Sequence, residues 1–373
     1  MVKTVLFFLL LTLFFGCNSN EKLNKKDNFN TKQEKEEFIE MDEVIISKSN
    51  DIPKDVNDMF KEANKLFTEE KYEEALSIYQ NLKNLNAKNS ILANYNIAVT
   101  LTKLKKIEEA LIIYEELLKI ENLDEELYID TIINISEIYG FQKEWAKTEN
   151  LLKNTVENNN FKNLGWDYIE ISIRYQVALF NLGYYDDSEF VFLKAIQTYK
   201  QNKNRFVTLS LKQRYFLSMG NFYNGEVNRI KFENIKITGD VKGMGKILDE
   251  KADILLSAQN YYINSIDFKD KYWATASGYK IGEMYEKYYE QIMNTELPAK
   301  LTFEEETIYK EELQKRIQIL LKKAINIFEE NIKMSERVSE KNIWVEKTLE
   351  KLKEVKAKYI KIKESEVESY ENN

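Results

Sequence analysis

Two stretches decide the reading of this chain: Glu62–Tyr79, EANKLFTEEKYEEALSIY, and Ile97–Tyr114, IAVTLTKLKKIEEALIIY. The second restates the first 35 residues later. In each, a small residue (Ala63, Ala98) precedes Leu66 or Leu101 and a polar turn. Then come Tyr72 or Ile107, a second small residue (Ala75, Ala110) and a tyrosine (Tyr79, Tyr114). Apolar residues at helical spacing give each segment one buried face. The alanines let two helices approach closely, and the tyrosines fill the space between neighbouring pairs. A helix–turn–helix written twice in register predicts a repeat array.

Fainter copies extend it. Ser136, Tyr139, Trp145, Thr148 and Leu152 form a third, and Leu179, Gly183, Tyr185, Ser188, Phe192 and Ala195 a fourth, with Gly183 expected in the inter-helix turn. Gly220 with Tyr223, and Gly282 with Tyr285, look like further first helices. Their second small residues come late, at Ala258 before Tyr262 and at Ala324 before Phe328, which predicts two expanded hairpins. The stretch from Asn342 reads as a terminal helix with a polar face, the cap such an array requires.

These residues resemble the tetratricopeptide repeat family, a helix–turn–helix of about 34 residues. The resemblance implies an all-α fold, an α–α superhelix (solenoid) of helical hairpins. The C-terminal half is also loosely similar, through Trp273-Ala274, Tyr279–Gly282, Leu297-Pro298, Glu304–Tyr309 and Ile343-Trp344, to tetratricopeptide proteins of myxobacteria and related predators, some linked to gliding motility.

Composition agrees with helices. Only 11 Gly and two Pro punctuate 373 residues, too few turn formers for a sheet protein. At 43% hydrophobic the chain has material for a core. Net charge is −8 with both signs interleaved, so no basic stripe invites nucleic acid. Histidine is absent and Cys17 is the lone cysteine, which removes histidine-dependent nucleophilic catalysis, histidine-bound zinc and an intrachain disulfide. No enzyme, metal or cofactor is expected.

The N-terminus reads as an export signal. Lys3 precedes the apolar run Val5–Phe15, which is shorter than the roughly 20 residues of a membrane span. Gly16-Cys17, followed by Asn18-Ser19-Asn20, resembles the bacterial lipobox, although Phe14 and Phe15 depart from it. The resemblance implies acylation of Cys17 and, since Asn18 is not aspartate, an outer-membrane location facing the periplasm or the cell surface. Each buried CH₂ of an acyl chain contributes about 0.8 kcal/mol to such an anchor. The expected organisation is a signal peptide over 1–16, a lipidated flexible tether over 17–54, four repeats over 55–200, expanded hairpins with a capping helix over 201–363 and a disordered tail over 364–373.

In the family the concave groove is lined by first-helix residues. Carried over, these are Asn57, Phe60, Asn64 and Phe67, then Tyr95, Val99, Thr102 and Lys103, then Ile133, Glu137 and Phe141, then Ile173, Val177, Phe180 and Asn181. The set is apolar and aromatic, suited to an extended peptide or amphipathic helix, with packing against neighbouring helices as the competing reading. The function expected is a lipid-anchored scaffold that binds another envelope protein. The alternatives are a surface lipoprotein binding a host or prey molecule, and a carboxylate-dependent cell-wall enzyme. For the last, Glu73-Glu74 and Glu304–Glu306 are candidate acidic runs, and both read as solvated faces. Gly239–Ile247 only faintly resembles a phosphate loop and reads as an inter-helix loop.

Overall fold

The computed structural model describes residues 54–84, 87–157, 165–237, 241–295 and 302–371. The expected signal peptide, Cys17, the expected tether up to Pro53 and Leu297-Pro298 therefore lie outside the described residues. Within them the protein is all-α, with thirteen α-helices. In order they are α1 Lys54–Thr68, α2 Tyr72–Lys83, α3 Ala87–Lys103, α4 Ile107–Leu117, α5 Glu125–Phe141, α6 Trp145–Glu157, α7 Trp166–Asn181 and α8 Tyr185–Gln201. They continue with α9 Leu211–Asn234, α10 Val241–Asp267, α11 Lys271–Met293, α12 Phe303–Arg337 and α13 Ile343–Glu371.

Two compact units are distinguished among the described residues: a short-hairpin unit within Lys35–Tyr184 and Ala195–Asn202, and a long-hairpin unit within Tyr185–Lys194 and Lys203–Asn373. In the first, α1 packs on α2, α2 on α3, and so on to α7. In the second, α9 to α13 pack in the same successive order, and α11 also touches α9 and α13.

One turn follows four successive first helices. Glu70 (φ 61°), Lys105 (φ 63°), Lys143 (φ 59°) and Gly183 (φ 85°) each take the left-handed conformation two residues after a first helix. The amide of the next residue then reaches back five residues: Lys71 to Leu66 O at 2.9 Å, Lys106 to Leu101 O at 2.9 Å, Glu144 to Tyr139 O at 2.8 Å and Tyr184 to Leu179 O at 2.9 Å. This is the Schellman closure, which satisfies carbonyls that a helix end leaves orphaned. Only the fourth copy uses the glycine that makes the left-handed turn sterically free.

Counting from that turn puts the motif residues in register. Ala75, Ala110, Thr148 and Ser188 stand at the small position, all at most 2% exposed. Tyr79, Tyr114, Leu152 and Phe192 stand at the large one, all at most 1% exposed. Full burial of one large apolar side chain contributes roughly 1.5–3 kcal/mol.

The long-hairpin helices run to 24, 27, 23 and 35 residues in α9 to α12. Here glycine makes the close approach. A Cβ on Gly225 would stand 2.6 Å from the Tyr262 ring, and one on Gly282 would strike the Phe328 ring. Ala258, Tyr262, Ala324 and Phe328 are fully buried, as their spacing predicted. In α9 the glycine against the Tyr262 ring is Gly225, five residues after the Gly220 to which the sequence pointed.

The terminal helix buries Thr348, Val355 and Ile362, seven residues apart, while Glu346, Glu350 and Lys353 are exposed. It continues to Glu371 rather than ending near 364. The last residues contain neither Gly nor Pro, so nothing in them stops a helix. Among the described residues no helix is long and apolar enough to cross a membrane.

Candidate binding face

Burial divides the carried-over groove residues. Phe60, Asn64, Phe67, Tyr95, Val99, Ile133, Ile173 and Val177 are buried, together with Thr102 and Glu137. Their partners are internal. Phe60 packs on Tyr79 at 6.5 Å, Phe67 on Tyr72 at 5.2 Å and Tyr95 on Tyr114 at 6.1 Å between ring centroids. The Tyr79 hydroxyl donates to Asn64 Oδ1 at 2.5 Å, and Asn134 Nδ2 donates to the Tyr95 hydroxyl at 2.9 Å. These side chains fill seams between helices, the competing reading of the sequence, and leave a peptide little surface. First helices in the middle of the series are covered on several sides, as the unbroken burial of residues 131–138 in α5 shows. Asn57, Lys103 and Phe180 are half-buried, while Phe141, at 66%, and Asn181 are exposed.

What the first helices bring together instead is charge. In the short-hairpin unit, Arg174 of α7 donates to Glu170 at 2.9 Å, one turn away, and to Glu137 of α5 at 2.9 Å. The Arg174 side chain is 11% exposed and the carboxylates 5% and 1%. Burial works against the guanidinium charge, but Glu170 and Glu137 together hold it more firmly protonated than a free arginine.

The long-hairpin unit carries a larger network across its three first helices. Arg229 of α9 grips Glu226 at 2.8 Å and Glu233 at 2.8 Å. Glu233 accepts from Lys287 of α11 at 2.8 Å, and Glu283 of the same helix accepts from Lys280 at 3.0 Å and from the Tyr279 hydroxyl at 3.2 Å. Glu286 of α11 meets Lys351 and Lys358 of α13 at 3.1 and 3.2 Å. Burial raises the carboxylates' affinity for protons, yet the cations win. Lys287 and Arg229 hold Glu233 below the ordinary carboxylate range, and Lys280 and Lys287 do the same for Glu283.

The sequence reading missed this lattice. The signal was present as Glu170/Arg174, Glu226/Arg229, Arg229/Glu233 and Glu283/Lys287, pairs three or four apart on one helix. Such pairs usually mark a solvated face; the links between helices appear only in the fold.

A fully buried cation also stands outside the lattice. Lys251 of α10 is fully buried, and its Nζ donates to Phe232 O and, at 2.7 Å, to Ile235 O. It satisfies the last carbonyls of α9 and favours that helix end electrostatically. Burial pulls its pKa down to about 8. The acidic runs have a local role: Glu73-Glu74 and Glu304–Glu306 sit in the first turns of α2 and α12, where the helix dipole favours negative charge. Glu305 also closes a capping box with Thr302. Of the glycine-rich stretch, residues 241–247 belong to helix α10 rather than to a loop, and Gly239 and Asp240 lie outside the described residues.

A search of protein-family models gives no match for the chain, and a search of curated proteins finds no similar one.

Proposed function

We propose that the protein is a binding scaffold of tetratricopeptide-type hairpins, held at a bacterial envelope membrane by lipid on Cys17, and that it assembles with another envelope protein. The observation that carries this reading is the fourfold recurrence of one turn followed by one buried small/large pair. A repeated unit of this kind multiplies first helices along one line and so enlarges a contact surface without building a pocket. The absence of histidine and of any cysteine besides Cys17 in the sequence supports binding over catalysis.

The partner's chemistry follows from the charge lattice. Buried apolar residues leave the first helices to be read through Lys103, Asn181 and the rims of the ion-pair network, so the partner is one that answers with polar and charged groups. Photo-crosslinkers placed at Lys103 and Asn181, with Ile112 as the control, test this in cells. One shared adduct from the first two and none from Ile112 supports the reading; equal adducts from all three, or none, contradict it. The anchor is tested separately: a fatty-acid analogue should label the wild type and not Cys17→Ser, and an unlabelled wild type removes that half of the proposal.

A further inference from the structure

Between Glu189 and Glu226 the sequence contains no Asp or Glu, although the chain as a whole is at −8. The same interval holds Lys194, Lys200, Lys203, Arg205, Lys212 and Arg214. Interleaved charge is the rule elsewhere, so this interval is the local exception.

The fold displays part of it as a defined patch. Lys203–Arg205 form a short exposed 3₁₀ turn, followed by Val207 at 86% exposure, Leu211 at 60% and Tyr215 at 38%. Leu211 and Tyr215 stand one turn apart on α9, and Val207 precedes that helix. Tyr272, also 38% exposed, joins them through Trp273, whose ring lies 5.1 Å from that of Tyr272 and 5.9 Å from that of Tyr215. Lys271 adds a further cation beside Tyr272. The patch is held in shape. Ser210 and Gln213 close a capping box at the start of α9, and Arg214 Nε donates to Leu209 O at 3.3 Å. Of the bordering acids, Asp270 caps the Trp273 amide at 2.9 Å, and Asp267 is exposed.

Scattered exposed apolar residues need no explanation, but aliphatic and tyrosyl side chains set among cations match the composition of interfacial membrane contacts. We propose that the Lys203–Tyr215 segment, with Lys271 and Tyr272, is a second membrane contact that docks on anionic phospholipid. Charge complementarity selects this occupant. A body at −8 is repelled by an anionic surface except where its charge is locally reversed, so the patch also fixes which face meets the lipid. The contact is independent of acylation at Cys17.

Because Cys17 is the only cysteine, the full-length Cys17→Ser chain accepts a single reporter thiol. An environment-sensitive dye on Val207→Cys is compared with the same dye on Ile112→Cys, in phosphatidylglycerol and in phosphatidylcholine vesicles. At position 207 phosphatidylglycerol should raise fluorescence about twofold or more, with little change in phosphatidylcholine and none at position 112. Reversing Lys203 and Arg205 to Glu, both exposed, should weaken that response about tenfold or more. A response equal in both lipids, equal at both positions or indifferent to charge reversal overturns the proposal. So does no response to phosphatidylglycerol with a response to poly-glutamate, which assigns the patch to an acidic protein. Cys17→Ser cannot be acylated, so none of these outcomes depends on the anchor reading.

Discussion

The short hairpins and the long ones solve the same packing problem with different residues. In the short-hairpin unit an alanine faces its neighbour, tyrosines fill the gap, and helices of 11 to 17 residues end at a repeated turn. In the long-hairpin unit Ala258 and Ala324 keep the small position, and a glycine on the facing helix, Gly225 or Gly282, lets a ring sit directly against the helix backbone. Long helices extend well beyond that contact, and the extra length is tied laterally by ion pairs such as Glu233–Lys287 and Glu286–Lys351. Length, then, changes what holds a hairpin to the next one: apolar filling where helices are short, charge added where they are long.

The comparison is most exposed at Tyr114, which is fully buried. Tyr114→Ala should cost about 3–5 kcal/mol, the range of large aromatic truncations in a core. Calorimetry should show the loss as a broadened or split transition, since each hairpin depends on its neighbours. Arg174→Met tests the buried charge of the short-hairpin unit. Leaving Glu137 and Glu170 buried without their cation should cost about 3–5 kcal/mol, and adding Glu137→Gln and Glu170→Gln should restore part of it. Full cost in the triple variant would show that packing, not charge, is at stake.

Gly282→Ala sharpens the comparison from the other side. The methyl group meets the Phe328 ring, so the change should cost about 1–3 kcal/mol, against almost nothing at Gly245, which has open space. Chemical denaturation of both variants reads the difference.

Lys251 gives a pH signature confined to the long-hairpin unit. Its folded pKa of about 8 lies below the ordinary lysine value of 10.5, so between those values the folded state binds fewer protons than the unfolded one. Stability then rises with pH across that window. The stability of the wild type relative to Lys251→Met should therefore climb from about pH 8 to 10.5. A flat difference would mean that the two accepting carbonyls fully offset the burial of the charge.

The turns carry the smallest effect. Lys105 takes a left-handed conformation that costs a side chain about 1–2 kcal/mol. Lys105→Gly should stabilise by about 1 kcal/mol, and Gly183→Ala should cost about as much. Thermal melts of the two should move in opposite directions.

The helix pairs were legible because their signal is local: Ala75 with Tyr79 and Ala110 with Tyr114 state both spacing and burial. Ala258 with Tyr262 and Ala324 with Phe328 carried the same message at longer range. The register of α9 was not legible, since Gly220 and Gly225 are equivalent until Tyr262 is known to face one of them. Nor was the binding face. Phe60, Tyr95 and Ile173 satisfy a groove pattern and a core pattern equally, and the choice depends on how many neighbours cover a first helix. Glu137 fitted the groove pattern, and its burial against Arg174 depends on a contact 37 residues away in the chain.

Hydrogen exchange on Tyr114→Ala tests the central claim, that the hairpins form a series held by neighbour contacts. Loss of protection should concentrate in α3 and α4, with weaker loss in α2 and α5 and wild-type protection in α11 to α13. Uniform loss of protection from α1 to α13 would contradict it, because the chain would then share one cooperative core rather than a succession of packed pairs.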